Sequence, residues 1–410
     1  MQRAGGARHH GDHRTEVSAF RATLAGFCAT LVGIGLARFA YTPLIPALIA
    51  ADWFTPGQAA YLGAANLAGY LVGALLARRM AAHVPTAAVL RTMMAVATVA
   101  FFACAAPLAF SWFFLWRFGA GVAGGVLMVL AASSVLEYVP PSRRGLAGGA
   151  IFTGVGAGIG ASGTLVPLLL QAGLSATWCG LGALALVLST LAWSAWPAER
   201  IATIAIPGDP REGRPRSPLA LNALYAEYAL CAAGLVPHMV FLVDFVARGL
   251  DRGIAVGSHY WILFGIGAVT GPMVTGYLAD RIGFAHALRL ALALQAVAIG
   301  LPAIAVSSVW LAASSLVVGA MVPGVVPLVL GRVHELAPRD ESSRRAAWSF
   351  ATAAFALGQA AAAYGFSFLF ARSDDGYAML FGLGAALLAL ALGIDFVAAV
   401  LANSGRRSRR

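Results

Sequence analysis

The chain has 410 residues, of which 60% are apolar and 11% charged, against roughly 45–50% and 25% in ordinary globular proteins. So few charges cannot dress the surface of a water-soluble protein of this length, and the composition describes a membrane protein. The net charge of +11 does not describe a nucleic-acid binder, because the basic residues, all of them arginine, lie in small groups between long apolar runs and form no single basic face.

Residues 1–21 carry Arg3, Arg8, Arg14 and Arg21 and read as a cytoplasmic tail; the apolar run that follows is too long for a cleaved secretory leader. A helix needs about 20 predominantly apolar residues to cross a hydrocarbon core of about 30 Å, so charge-poor windows count crossings. Residues 22–51, broken only by Arg38, predict span 1; 53–77 predict span 2, 92–108 span 3, and 111–136, broken only by Arg117, span 4. The stretch 145–198 has no charge at all. As one helix it would run about 80 Å, so it is two crossings, 5 and 6, turning at Gln171, Ala172 and Gly173. After a polar stretch, 219–246 and 254–279 predict spans 7 and 8. Residues 290–331 hold spans 9 and 10 with a turn near Ser307 and Ser308, and 346–371 and 377–402 are spans 11 and 12. Residues 403–410 form a basic cytoplasmic tail. Cys28, Cys104, Cys179 and Cys231 each lie inside an apolar run without CxxC or CxxH spacing, so buried free thiols are expected, with neither disulfides nor a metal site.

Arginine accumulates in short cytoplasmic loops. With a cytoplasmic N-terminus, twelve crossings place the arginines of both tails, the central polar stretch and every even-to-odd loop inside, and leave only Arg248, Arg252 and Arg372 outside. Arg38 and Arg117 fall within spans. This asymmetry predicts a multi-pass protein of the cytoplasmic (inner) membrane with both termini in the cytoplasm.

The stretch 199–218, with four arginines, three acids and Pro207, Pro210, Pro215 and Pro218, reads as a flexible cytoplasmic linker. It separates a six-helix bundle at 22–198 from another at 219–402. A shift of 198 aligns Trp112 with Trp310, Gly121 with Gly319, Glu137 with Glu335 and Pro140 with Pro338, and each half then runs into an arginine pair, Arg143-Arg144 and Arg344-Arg345. Duplicated bundles are a transporter architecture, because two similar bodies can rock about a site at their interface.

Three motifs carry a family resemblance. Arg117-Phe-Gly-Ala-Gly-Val-Ala-Gly-Gly125 resembles the RxxxGxxxG signature of the major facilitator superfamily, Gly276-Tyr-Leu-Ala-Asp280-Arg281-Ile-Gly283 its GxLaDRxG loop, and Pro140-Pro-Ser-Arg-Arg-Gly145 its loop before span 5. Gly35-Leu-Ala-Arg38-Phe-Ala-Tyr41-Thr-Pro43-Leu-Ile-Pro46 resembles the first-span hallmark of the YbfB/YjiJ-type branch. The resemblance implies an all-α membrane fold of two pseudo-symmetric six-helix bundles, and it implies a conformational latch at Asp280 and Arg281. The matching first-half loop departs from the pattern, since Ala77-Arg78-Arg79 has arginine where the acid belongs. The glycines 154, 156, 158 and 160 of span 5 are only loosely similar to the family's antiporter motif, and close helix packing explains them.

Charges inside a bilayer are costly and mark substrate or proton paths, or face a water-filled cavity. The first half supplies Arg38 and Arg117 and the second Glu227, Asp244 and Asp395, so the halves are complementary in sign. Arg38 with Tyr41 and Thr42 on its face, Asn66 and Tyr70 at i and i+4 of span 2, Arg117 and His238 are the candidate substrate contacts. Glu227 and His238, eleven residues apart and about 20° from alignment at 100° per residue, form a candidate proton path with Asp244. Pro237 opens span 7 beside His238, and broken helices line binding sites in transporters. The repeat sets Pro237-His238 opposite Arg38-Phe39. Each residue has a plainer alternative: Arg117 fastening span 4 to span 1, Arg38 paired statically with Asp244, Glu227 and His238 as satisfied interior groups, and Asp395 as structural.

The expectation is a secondary active transporter working by alternating access as a monomer, with a small-molecule substrate and protons as partners and no cofactor. No ATP-binding GxxxxGK[ST] loop is present. Two cavity arginines without a first-half counter-acid point to an anionic cargo. The alternatives are a membrane-embedded enzyme, for which no HExxH, GxSxG or clustered carboxylates are present, and a sensor with a transporter body.

Overall fold

The computed structural model describes residues 19–136, 138–140, 144–196, 218–338, 341–373 and 376–407. The predicted linker up to residue 217, residues 1–18 of the first tail, 408–410 of the last and most of the 140–145 loop lie outside them.

Among the described residues twelve helices are long and apolar enough to cross a membrane: α1 Ala19–Ala50, α2 Pro56–His83, α3 Thr86–Ala103, α4 Phe110–Leu136, α5 Ala147–Leu170, α6 Leu174–Trp193, α7 Pro218–Gly249, α8 Gly253–Ile282, α9 Phe284–Ile304, α10 Ser308–Leu336, α11 Ala346–Ala371 and α12 Tyr377–Leu401. The turns after α5 and α9 fall where the charge-free runs were divided. Helix α2 starts on a capping box, Thr55 accepting from the Gln58 amide and Gln58 from that of Thr55, with Pro56 in the first turn. Gly283 turns the chain from α8 into α9 at φ 81, where a side chain would be strained; it is the last residue of the GxLaDRxG motif.

Helix α3 lies about six residues before its predicted window, because Arg91 belongs to the helix and not to the loop. Its Nε donates to the Trp193 carbonyl at 2.8 Å and its guanidinium lies over the Trp193 ring. Counting charges as loop markers therefore misplaced this span. Cys28, Cys104 and Cys231 are buried, but Cys179 is exposed on α6, beside the exposed apolar side chains Leu186, Val187 and Leu191; in a membrane helix the outer face is apolar too, so an apolar run does not imply burial.

Each half is held by close helix pairs: α2 on α4, α1 on α5 and α3 on α6 in the first, and α8 on α10, α7 on α11 and α9 on α12 in the second. The internal repeat is visible at atomic detail. A methyl group at Gly69 would overlap the Phe118 carbonyl, and at Gly267 the Leu316 carbonyl; at Gly73 it would overlap the Val122 carbonyl, and at Gly271 that of Ala320. Each glycine and the carbonyl it faces are both displaced by the same 198 residues. Small residues let the helix backbones touch where no hydrophobic force exists between helices in lipid. The halves meet along α5 with α8 and α2 with α11, two contacts related by the same repeat, and along the later parts of α1 and α7. Alternating glycines divide α5 between its neighbours: Gly154 and Gly158 face α1, while Gly156 and Gly163 face α8.

Candidate functional site

The two helices at the seam are both broken. In α1, residues Leu31–Leu36 form a π-helical stretch, and the chain resumes as α-helix at Tyr41–Ala50. Pro43 and Pro46 have no N–H to give back to Phe39 and Thr42. In α7, π-helical stretches cover Pro237–Phe241 and Phe245–Gly249, with Pro237 at the start of the first. Widened turns release carbonyls from the helical ladder and re-aim side chains. Thr42 Oγ1 donates to the Met239 carbonyl at 2.5 Å, joining one break to the other.

Between them lies a small cavity lined by Arg38, Phe39, Tyr41, Thr42, Asn66, Arg117, Met239 and Val240 among others. Arg117, on α4 and 3% exposed, donates through Nη1 to the freed Ala37 carbonyl at 2.6 Å, and its guanidinium lies 4.2 Å from the Tyr41 ring centre. Asn66 Nδ2 donates to the Arg117 carbonyl at 3.1 Å, and Tyr41 to that of Ala59 at 2.8 Å. Arg38 is held otherwise. Its guanidinium lies 5.0 Å from the Phe39 ring centre and 5.3 Å from that of Tyr70, and its Nη2 reaches only the Met239 sulfur, at 3.9 Å. The Nε of each arginine and Asn66 Oδ1 are buried without a hydrogen-bond partner. Among the described residues neither arginine has a carboxylate partner.

The structure thus gathers Arg38, Tyr41, Thr42, Asn66 and Arg117 around one cavity, with Tyr70 against Arg38. It does not bring His238 there. Met239, one residue later, takes that place, while the His238 ring faces the interior of the second half, edge-on to Phe381 with its Nε2 2.7 Å from Ser314 Oγ. Ser314 has one hydroxyl proton and commits it to the Ala298 carbonyl at 2.6 Å, so Nε2 is the donor and Nδ1 is left bare and buried without a partner. The alignment of Glu227 with His238 assumed an unbroken helix, and the break before His238 removes that assumption. Glu227 is 2% exposed with one carboxylate oxygen unpartnered, in electrostatic reach of Asp395, Arg332 and Arg289.

The acids of the second half do not meet the arginines of the first. Asp244 is 0% exposed and bound by both Arg248 Nε, at 2.6 Å, and Arg248 Nη2, at 2.7 Å, one turn on; Tyr377 of α12 donates to it at 2.6 Å. That closed cluster takes the place of the plainer alternative, a static tie from Arg38 to Asp244. Asp395 likewise pairs with Arg289. Asp280 and Arg281 are exposed at the end of α8, Arg281 stacking on Tyr277, and neither makes an ion pair among the described residues. Sequence reasoning missed Met239 and Gln359. Gln359, on α11 and 1% exposed, donates through Nε2 to the Met239 sulfur at 3.3 Å; a lone amide in an alanine-rich span was the available sign. Among the described residues no three His, Cys, Asp or Glu side chains form a group that could hold a metal.

Two pseudo-symmetric six-helix bundles around a polar cavity define a multi-pass membrane protein of the major facilitator fold. The chain belongs to the family described as "Uncharacterised MFS-type transporter YbfB", whose model matches residues 30–396. Its fold is similar to that of a bacterial homologue of the human lysosomal transporter Spinster, solved inward-facing and unoccupied, with a TM-score of 0.64 at 14% identity over 94% of this chain and 95% of that one. It is also similar to that of a D-xylose-proton symporter, with a TM-score of 0.68 at 15% identity over 91% of this chain and 97% of that one. No curated protein matches the chain.

Proposed function

We propose that the protein is a secondary active transporter of a small organic anion, working by alternating access of the seam cavity and coupled to protons. The observation that carries this reading is Arg38: a guanidinium in the cavity wall whose neighbours are two ring faces and a thioether. Arg38 is half-buried, and a cation inside a membrane-spanning bundle with no counter-charge among the described residues is costly; a cargo carboxylate supplies the missing charge while it is bound. Arg117 shapes the floor by holding the α1 break, with Tyr41, Thr42 and Asn66 as polar walls. Glu227 is the proton carrier of this reading, since a carboxylate with an unpartnered oxygen inside a bundle gains most from a proton, and His238 with its bare Nδ1 is the second. Asp244, tied to Arg248 and Tyr377, serves as a fixed clamp at the end of α7. The same fold serves a proton symporter.

In this reading the chain is a monomer in the cytoplasmic membrane with both termini inside, the bundles 22–198 and 219–402, joined by the linker 199–218, rock about the site at their interface, and Asp280 and Arg281 latch the inner ends. Metabolite profiling of cells lacking or overproducing the protein tests the cargo class. The compounds whose distribution changes are expected to be carboxylates, and the change to vanish in Arg38→Gln. A profile of neutral solutes that persists in Arg38→Gln overturns the reading.

A further inference from the structure

The Met239 thioether receives two donors from opposite halves of the molecule. Arg38 Nη2 approaches it from α1 at 3.9 Å and Gln359 Nε2 from α11 at 3.3 Å. A thioether is a weak acceptor, and two strong donors converging on one is a poor use of both. Each donor group keeps an unsatisfied atom beside it, Arg38 Nε and Gln359 Oε1, both buried. The Met239 backbone is pinned by Thr42, while its unbranched side chain turns about three bonds and adapts at little cost. Met239 also lines the cavity directly, whereas Gln359 stands behind it.

We propose that Gln359 completes, from the second half, the anion site that Arg38 begins in the first, and that the Met239 thioether keeps the place between them which a cargo carboxylate takes on binding. The assignment rests on the anionic reading of the cavity given above. A carboxylate has two oxygens, each able to accept from a different donor, so one oxygen meets the guanidinium and the other the amide once the thioether swings aside. The cargo then ties the two halves together through its own charge. A single free guanidinium with a neutral amide balances one negative charge, because Arg117 is already engaged by the Ala37 carbonyl and the Tyr41 ring. The remaining lining, Phe39, Leu67 and Val240, is apolar. The ligand class is accordingly a small monocarboxylate with a compact apolar body.

The test uses the full-length protein in detergent near neutral pH, with benzoate as the probe and benzamide as its neutral isostere, and reads apparent affinity from thermal stabilisation. Benzoate, and not benzamide, is expected to stabilise the wild type, with Arg38→Gln abolishing the effect. Gln359→Leu is expected to weaken benzoate about tenfold or more. Gln359→Glu is expected to keep its melting temperature and lose the benzoate response, because its own carboxylate occupies the site. Met239→Leu, which keeps the volume and removes the sulfur, is expected to lower the melting temperature without ligand and to tighten benzoate severalfold, the opposite direction from Gln359→Leu. If benzoate stabilises the wild type and Arg38→Gln loses it while both Gln359 variants bind as wild type, the assignment of Gln359 is overturned and the anionic cavity stands. If benzoate does not stabilise the wild type, both fall.

Discussion

A guanidinium inside a membrane-spanning bundle is held at a cost that hydrogen bonds, ring faces or a counter-charge must offset. Arg117 has a carbonyl at 2.6 Å and a ring face, so its removal leaves the Ala37 carbonyl open in the wall of the bundle. Arg117→Ala is expected to cost about 1–3 kcal/mol of stability, read as a lower melting temperature in detergent, whereas Arg38→Gln, which gives up two ring contacts and a long contact to sulfur but also removes an uncompensated charge, is expected to melt at or above the wild-type temperature. A large stability loss in Arg38→Gln would make that residue structural. The arginines, Tyr41, Thr42 and Asn66 were legible because polar groups in apolar spans stand out. His238 was placed at the cavity by the repeat, which set Pro237-His238 opposite Arg38-Phe39; α7 widens into a π-helical stretch from Pro237, and Met239 takes that place instead. Gln359 and Met239 were not legible because their importance comes from what meets them across the seam, and an uncharged amide in a span raises no count of charges.

At the scale of helices, the contacts that fix the bundle are backbone to backbone. Gly69 and Gly267 occupy equivalent positions, each with a carbonyl of the facing helix where its Cβ would be, while Gly119 and Gly276 have nothing within 4 Å. Gly69→Val and Gly267→Val are therefore both expected to abolish a monodisperse peak in fluorescence-detected size-exclusion chromatography, and Gly119→Val and Gly276→Val to leave it. Equal tolerance at all four positions would show that the helix pairs are held by something other than close approach. Helix number and the turns at Gln171–Gly173 and Ser307–Ser308 were legible from hydropathy alone. The π-helical stretches were not: prolines at 43, 46 and 237 mark where the ladder fails, but whether the chain kinks, tightens or widens there depends on the neighbour that accepts the freed groups.

For the whole molecule, the repeat and the arginine distribution make separate statements. The 198-residue shift relates the halves to one another, and it was legible because Trp112 and Trp310, Gly121 and Gly319, Glu137 and Glu335, and Pro140 and Pro338 stand at equivalent places. Arginine placement alone sets the orientation. With Cys179 replaced by serine, Gln171→Cys, in the loop between α5 and α6, is expected to react with an impermeant maleimide in intact cells, and Val84→Cys, between α2 and α3, only after permeabilisation. The reverse pattern would invert the topology and place the arginine-rich loops outside. How the halves share charge was the least legible feature. Opposite signs in opposite halves suggested pairing across the seam, yet among the described residues each second-half acid that forms an ion pair does so with an arginine of its own half, Asp244 with Arg248, Asp395 with Arg289 and Glu335 with Arg332, because a local partner on the same or adjacent helix needs no alignment of two moving bodies. Among the described residues Arg38 is thereby left without a counter-ion at the place where the bodies meet. The most direct measurement is uptake of the profiled organic acid into proteoliposomes containing the wild type or Arg38→Gln, with and without an imposed pH gradient. Accumulation by the wild type is expected to collapse with a protonophore and to fall at least about tenfold in the variant; uptake of equal rate and extent in both proteins would remove Arg38 from the cargo site.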